Sequence, residues 1–265
     1  MQDTPTLPRL AAGAPFPAVE EAWGEQSAAP GLLASGGALD VASLLAAYSQ
    51  GIFPWYSEGQ PVLWWSPEPR MMLTVENFKL HRSLRKTLKN FCITPGCEIR
   101  IDHDFAAVMT ACASSRRGEP EGQEDQQGLE GPEGQASQNS TWIMPEMIAA
   151  YTALHLAGYA HSIETWIDGR LVGGLYCTAL GAAVFGESMF SRKTDASKIA
   201  LCALVALCRA QGAGHIDCQQ NTAHLTSLGA QTMPRAEFCA LVSQAALRPA
   251  LDWRFDLVYW QQLGI

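Results

Sequence analysis

HSIETWIDGRLVGGLYCTALGAAVFGESMF, residues 161–190, decides the fold class. HSIETWI reads as a strand, and the Asp168-Gly169 pair behind it is a dipeptide that closes tight hairpins, because both residue types tolerate positive φ. RLVGGLYCTAL and AAVFGESMF read as two more strands. Working outward, TWIMPEMIAAYTALHLAG before this block has helical spacing. After it come a helix from Ala196 to about Gln211, capped by Asp195 or Ser197, and the strand GHIDCQQ. A helix at 234–246 and a terminal strand near FDLVYW complete the pattern. Hairpins mixed with helices, without strict βαβ alternation, predict a mixed sheet of the α+β or α/β class.

Upstream, Asp40 is a candidate N-cap for VASLLAAYSQ, a helix that Gly51 ends. Residues 48–70, YSQGIFPWYSEGQPVLWWSPEPR, then gather six of the chain's 23 aromatics and four prolines. Proline removes backbone donors and restricts the residue before it, so the block reads as a stiff irregular wall rather than a helix or central strand. Such a wall either packs one domain on another or gives a base, sugar or peptide a flat surface. MMLTVENF follows as a strand. In KLHRSLRKTLKN, residues 79–90, Leu80, Leu84 and Leu88 form one apolar helical stripe, and five bases with no acid cover the other faces. That charge suits a solvated surface or a phosphate backbone equally well. Residues 1–30, rich in Ala and Pro, are expected to wrap or fray.

A chain of 265 residues that is 48% hydrophobic can bury a full core. No apolar run reaches membrane-spanning length, and MQDTPTLPRL lacks the basic and apolar regions of a signal peptide. Eight cysteines without a C-x-x-C pair read as reduced, buried thiols of a cytoplasmic protein. The net charge of −8 misleads. Residues 118–140 hold six acids and no base, and residues 1–40 hold five acids and only Arg9, which leaves 15 acids against 17 bases elsewhere. The 118–140 stretch, rich in Gly, Gln, Glu and Pro, reads as a disordered acidic insertion without chemistry.

Alternation along HIDCQQ puts Asp217 and Gln219 on one strand face, where the carboxylate could fix the amide, or where both could simply be wet. Glu187 sits in apolar company, so it either pairs with Arg192 or Lys193 or faces a cavity. The histidines are scattered and no cysteines are paired, which argues against a metal site. GGALD and VGGLY lack the lysine of a P-loop and the spacing of a dinucleotide fingerprint, so no cofactor is expected and the chemistry should use an already activated substrate.

With these segments in hand, the chain strongly resembles the leucyl/phenylalanyl-tRNA–protein transferases. The resemblance runs through GLLASGG, LLAAYSQGIFPWYSEGQPVLWWSPEPRMML, Thr141-Trp142-Ile143, GYAHSIETW, LVGGLY, FGESMFSR, ASKIAL, HIDCQQ and HLTSLGAQTMPR. It implies a small N-terminal domain, taken as residues 1–70, joined to an acetyltransferase-like (GNAT) mixed-sheet domain, residues 71–265. It also implies a monomer without cofactor that moves Leu, Phe or, less well, Met from aminoacyl-tRNA to proteins beginning with Lys or Arg, marking them for degradation. Asp217, Gln219 and Glu187 match the family's catalytic positions. Trp55 and Trp142 match aromatics at the terminal adenosine, and Arg82, Lys86 and Lys89 match tRNA contacts. An apolar donor pocket is expected to include Leu175, Val184, Leu204 and Ile216. Two rivals are an acetyl-CoA-dependent acetyltransferase, for which GESMFSRKTDASK lacks a glycine-rich pyrophosphate loop, and a tRNA- or peptide-binding module without catalysis.

Overall fold

A computed structural model describes residues 6–114 and 143–265. In chain order its elements are β1 (Arg9–Leu10), β2 (Leu32–Gly36), α1 (Val41–Ser49), β3 (Phe53–Pro54), β4 (Leu63–Trp65), β5 (Arg70–Thr74), α2 (Arg82–Ile93), β6 (Cys97–Ile101) and α3 (Phe105–Ser114). There follow α4 (Pro145–Leu156), β7 (Ala160–Ile167), β8 (Arg170–Leu180), β9 (Ala183–Ser191), α5 (Ala196–Ala210), β10 (His215–Gln219), α6 (Ala223–Ser227), β11 (Gln231–Met233) and α7 (Arg235–Ala246). The expected insertion at 118–140 lies outside the described residues.

Two mixed sheets result. The smaller has the order β1-β2-β4-β3 and the larger β11-β5-β10-β9-β8-β7-β6. Asp168 and Gly169, at φ 51° and 71°, close the β7–β8 hairpin as the dipeptide predicts. Within the large sheet only β9 and β10 run parallel, with α5 as their crossover. Strand β8 is buried on both faces. Leu175 and Cys177 meet α5 and α2 on one side, while Tyr176 meets the layer of α1, α3 and α4 on the other.

Close packing of α5 on the sheet depends on Gly173. A Cβ there would stand 2.5 Å from Ala196 Cβ and 2.8 Å from the Ala196 carbonyl carbon, so the helix would have to back away from the strand. Gly173→Ala is therefore expected to destabilise by about 1–3 kcal/mol, seen as a lower denaturant midpoint at unchanged slope.

Helix α1 begins as expected, with Asp40 Oδ1 accepting the Ser43 N–H at 2.8 Å. Gly51 follows it at φ 75°, where a Cβ would lie 2.7 Å from the Phe238 ring. Three expectations need correction. The aromatic block is not wholly irregular: Tyr48 belongs to α1, and β4 is an inner strand of the small sheet, made possible because its three residues contain no proline. Pro54 sits on edge strand β3, where a missing donor does least harm. The terminal strand near FDLVYW is a 3-10 helix, Leu257–Leu263. Asp256 caps it through the Val258 N–H at 2.9 Å, and Trp260 and Leu263, three residues apart, share the buried side against α5. At the head of α5, Asp195 holds the cap position at φ 64° but does not cap; its carboxylate takes Lys198 Nζ at 3.2 Å and the Thr87 hydroxyl at 3.3 Å instead.

Candidate active site

Strand β10 runs in register with β5 until a bulge between Asp217 and Gln219, where Gln219 takes φ 55°. A bulge re-aims the side chain that follows it. Strict alternation would have left Asp217 and Gln219 side by side; instead Asp217 turns inward and Gln219 lines a cleft. Asp217 is 1% exposed, and its partner, Arg70 at the head of β5, is fully buried. Arg70 Nε donates to Oδ1 at 2.8 Å and Nη2 to Oδ2 at 2.6 Å. The guanidinium lies between the Phe53 and Phe238 rings, 4.7 and 4.5 Å from their centroids, and Nη1 donates to the Gly51 carbonyl at 3.2 Å. Asp217 Oδ1 also accepts the Gln219 N–H at 2.9 Å. The carboxylate thus fixes the backbone of the bulge, not the Gln219 amide.

That amide reaches elsewhere. Gln219 Nε2 donates to Glu187 Oε1 at 3.4 Å, and the Tyr48 hydroxyl donates to the same oxygen at 2.7 Å. Tyr48 and Tyr151 hydroxyls lie 2.5 Å apart. Glu187 therefore bonds neither Arg192 nor Lys193 but closes a polar chain that runs from the helical layer into the cleft. Burial pushes its carboxyl up to about 8, against the pull of the Tyr48 hydrogen bond. Burial, followed by the nearby Glu187 charge, likewise holds both tyrosine phenols well above their ordinary value, so they remain donors.

The cleft encloses about 1050 Å³. Glu187 and Gln219 meet in it, and Phe53, Trp55, Met189, Lys198 and Leu225 also line it. Trp55 is steadied by Trp65, whose Nε1 donates to the Trp55 carbonyl at 2.6 Å and whose ring lies 5.4 Å away. Trp64, by contrast, is fully buried in the small sheet and donates to the Gly36 carbonyl at 2.8 Å.

Of the residues read from the sequence, Gln219, Glu187 and Trp55 come together in the cleft, and Asp217 stands behind them. Arg82, Lys86 and Lys89 are exposed at i, i+4 and i+7 of α2, so they share one outward stripe. Thr87 of that helix bonds Asp195, which lines the cleft, but Thr87 lies more than about 100° around the helix from the stripe, next to the buried face. Trp142 lies outside the described residues. Leu175, Val184, Leu204 and Ile216 do not line the cleft: all four are buried in the core around α5, and Val184 borders a separate cavity of about 240 Å³. Uniform burial on both sheet faces hid this, since apolar spacing cannot tell a core wall from a pocket wall. Leu175 comes nearest, pairing across the strands with Met189, which does line the cleft. Sequence reading missed Arg70, Tyr48 and Tyr151. The available signal was the one basic residue of the proline-rich block, Arg70 at its end, and the tyrosine that opens it, Tyr48.

Among the described residues, no cluster of three or more His, Cys, Asp or Glu side chains is gathered as for a metal ion. None of the described helices is long and apolar enough to cross a membrane.

Comparison with known proteins meets this geometry. Residues 129–243 match the family model of leucyl/phenylalanyl-tRNA protein transferase, and residues 37–68 match that of its N-terminal domain. The leucyl/phenylalanyl-tRNA–protein transferase of Polaromonas sp. strain JS666 is 56% identical over 257 residues, covering 97% of this chain and 94% of the relative. That of Albidiferax ferrireducens is 55% identical over 259 residues, covering 98% and 95%, and that of Leptothrix cholodnii 54% over 261 residues, covering 98% and 95%. The matches take in both the aromatic block and the strands that carry Glu187, Asp217 and Gln219, and the chain belongs to the leucyl/phenylalanyl-tRNA protein transferase family, a family of aminoacyltransferases.

Proposed function

We propose that this protein moves leucine or phenylalanine, and methionine less well, from aminoacyl-tRNA to proteins that begin with Lys or Arg, creating N-end rule degradation signals in the cytoplasm. The observation that carries the reading is the meeting of Gln219 and Glu187 in a cleft bordered by Trp55. An aminoacyl ester is already activated, so the enzyme has mainly to align the amine and steady the tetrahedral oxyanion. Donation of the Gln219 amide to Glu187 leaves its carbonyl oxygen as the acceptor for an amine N–H. A neutral amide is too weak a base to remove the proton itself, so Gln219 aligns the amine, while Asp217 and Arg70 hold the strand that presents it. Glu187, bonded to the Gln219 amide, faces the same amine. The donor's apolar side chain lies against Met189, Phe53 and Leu225, with Leu175 and the core behind them.

The terminal adenosine stacks on Trp55 and on Trp142, and Arg82, Lys86 and Lys89 follow the phosphates of the acceptor stem. Trp55→Ala is accordingly expected to weaken tRNA use by about 1–3 kcal/mol, roughly a 5- to 150-fold rise in KM for charged tRNA in a folded protein. Trp65→Ala is expected to raise the same KM, because Trp65 supports Trp55 directly.

An acetyltransferase-like sheet with a smaller N-terminal unit is supported by the one parallel pair, β9/β10, and by the separate four-stranded sheet. Arg70 already belongs to the large sheet, so the proposed boundary falls just before it rather than after it. The acceptor rule is tested with charged Leu-tRNA and peptides beginning with Arg, Lys or Ala. Leucine is expected on the first two only, and equal transfer to all three would overturn the rule.

A further inference from the structure

We propose that Glu187 is the base of the transfer, taking the proton that the acceptor amine sheds as it attacks and passing it to the departing ribose oxygen, with Tyr48 and Tyr151 as positioning residues that hold its carboxylate. This rests on the transfer reading above and assigns the proton that reading leaves unplaced. The neutral amine forms the C–N bond, and the carbonyl π pair moves onto oxygen as Glu187 takes the N–H proton. Collapse of the oxyanion breaks the ester C–O bond. The electron pair leaves on the ribose oxygen, which receives the proton from Glu187. Amide and ribose hydroxyl result, and the carboxylate is regenerated.

The other acidic side chains around the cleft are committed elsewhere. Both oxygens of Asp217 are taken by Arg70 and the Gln219 N–H, and its side chain is 1% exposed, so it meets no substrate. Asp195 is engaged by Lys198 and Thr87. Burial pushes the Cys218 thiol up to about 12, leaving no thiolate near neutral pH. His224 is exposed on α6 and has no hydrogen bond to Gln219 or Glu187 among the described residues. Glu187 alone lines the cleft, touches the amine-aligning amide and is anchored from behind by a buried hydroxyl.

Its surroundings suit the exchange. Tyr48 from α1, Tyr151 from α4 and Tyr176 from β8 face it within the protein, and Asp217 with Arg70 stands behind β10. Burial first, and then the Asp217 charge, raise the carboxyl to about 8, while Tyr48, Arg70 and Tyr151 restrain the rise. The conjugate acid of a peptide α-amine has a reference pKa of about 7.7–8, so the neutral amine and the carboxylate form of Glu187 are populated over the same pH range.

Single-turnover transfer from Leu-tRNA to an Arg-initiated peptide, followed from neutral to alkaline pH, tests the assignment. The base form of Glu187 populates as pH rises through about 8, so the wild-type rate should climb there. Glu187→Gln is expected to lower the rate constant by on the order of 10²- to 10⁴-fold with little change in the acceptor KM. Tyr48→Phe removes a hydrogen bond to the charged form, raising the carboxyl pKa, and should move the midpoint about one pH unit alkaline. The substrate amine's own titration would not move. If Tyr48→Phe fails to fold, Tyr151→Phe is read for the same alkaline shift. An effect of Glu187→Gln confined to acceptor KM, or a midpoint unmoved in a folded tyrosine variant, overturns the proposal. Wild-type protein that transfers no leucine at all overturns the transfer reading instead.

Discussion

Arg70→Met is expected to lower the unfolding free energy by about 3–5 kcal/mol, the largest single effect on stability foreseen for this chain. Arg70 and Asp217 are 0% and 1% exposed, and both carboxylate oxygens receive guanidinium N–H groups. Methionine fills similar space between the Phe53 and Phe238 rings but leaves a buried carboxylate unpaired. The loss also cuts the bond to the Gly51 carbonyl, through which the loop after α1 is tied to β5 and, by way of Asp217, to β10. Urea denaturation followed by far-UV circular dichroism would read this as a lower midpoint. The double change Arg70→Met with Asp217→Leu should recover much of the stability, since a buried pair replaced by apolar groups of like volume is often neutral. It should not recover transfer, because the Gln219 N–H then lacks its acceptor. Restored stability without restored activity separates what the ion pair does for the fold from what it does for the bulge.

The second large effect concerns Gln219 itself. Gln219→Ala is expected to reduce kcat by on the order of 10²-fold or more while leaving KM for charged tRNA nearly unchanged. The amide stands beside Glu187, whereas Arg82, Lys86 and Lys89 of α2 do not line the cleft. An aligning group acts in the attacking geometry, so its removal registers in turnover rather than in donor binding. Steady-state kinetics with the donor and acceptor varied in turn would show the split. Equal losses in kcat and in donor affinity would mean that Gln219 binds the donor instead.

Much of this architecture is legible in the sequence, for identifiable reasons. Asp168-Gly169 fixes a hairpin locally and emerges as read. The spacing of Leu84 and Leu88 fixes the buried face of α2, but the helix expected over 79–90 runs from Arg82 to Ile93, so Leu80 of the expected stripe precedes it and Phe91 completes the buried face. The terminal segment FDLVYW fails because its apolar density suits a strand, while the Asp256 cap and the i, i+3 pair Trp260 and Leu263 belong to a 3-10 turn that packs on α5 and is held at its end by Arg85 of α2. Strand β6, Cys97–Ile101, and helix α3 went unread; the one is short and half-buried at a sheet edge, and the other is largely alanine, which gives little periodicity. At the site, residue types were readable and partnerships were not. Asp217 and Gln219 stood out in HIDCQQ, yet the bulge that separates them depends on Arg70, 147 residues away in sequence. The chain Tyr48, Glu187, Gln219 likewise joins α1, β9 and β10, a conjunction that exists only once the sheet is closed by the helices.

The most direct test is mass spectrometry of an Arg-initiated peptide incubated with the protein and one donor at a time: charged Leu-tRNA, the same tRNA with its ester hydrolysed, or acetyl-CoA. The account predicts a peptide heavier by one leucyl residue on its α-amine with charged tRNA, and an unchanged peptide with the other two. An acetylated peptide, or no product from charged tRNA, would contradict it.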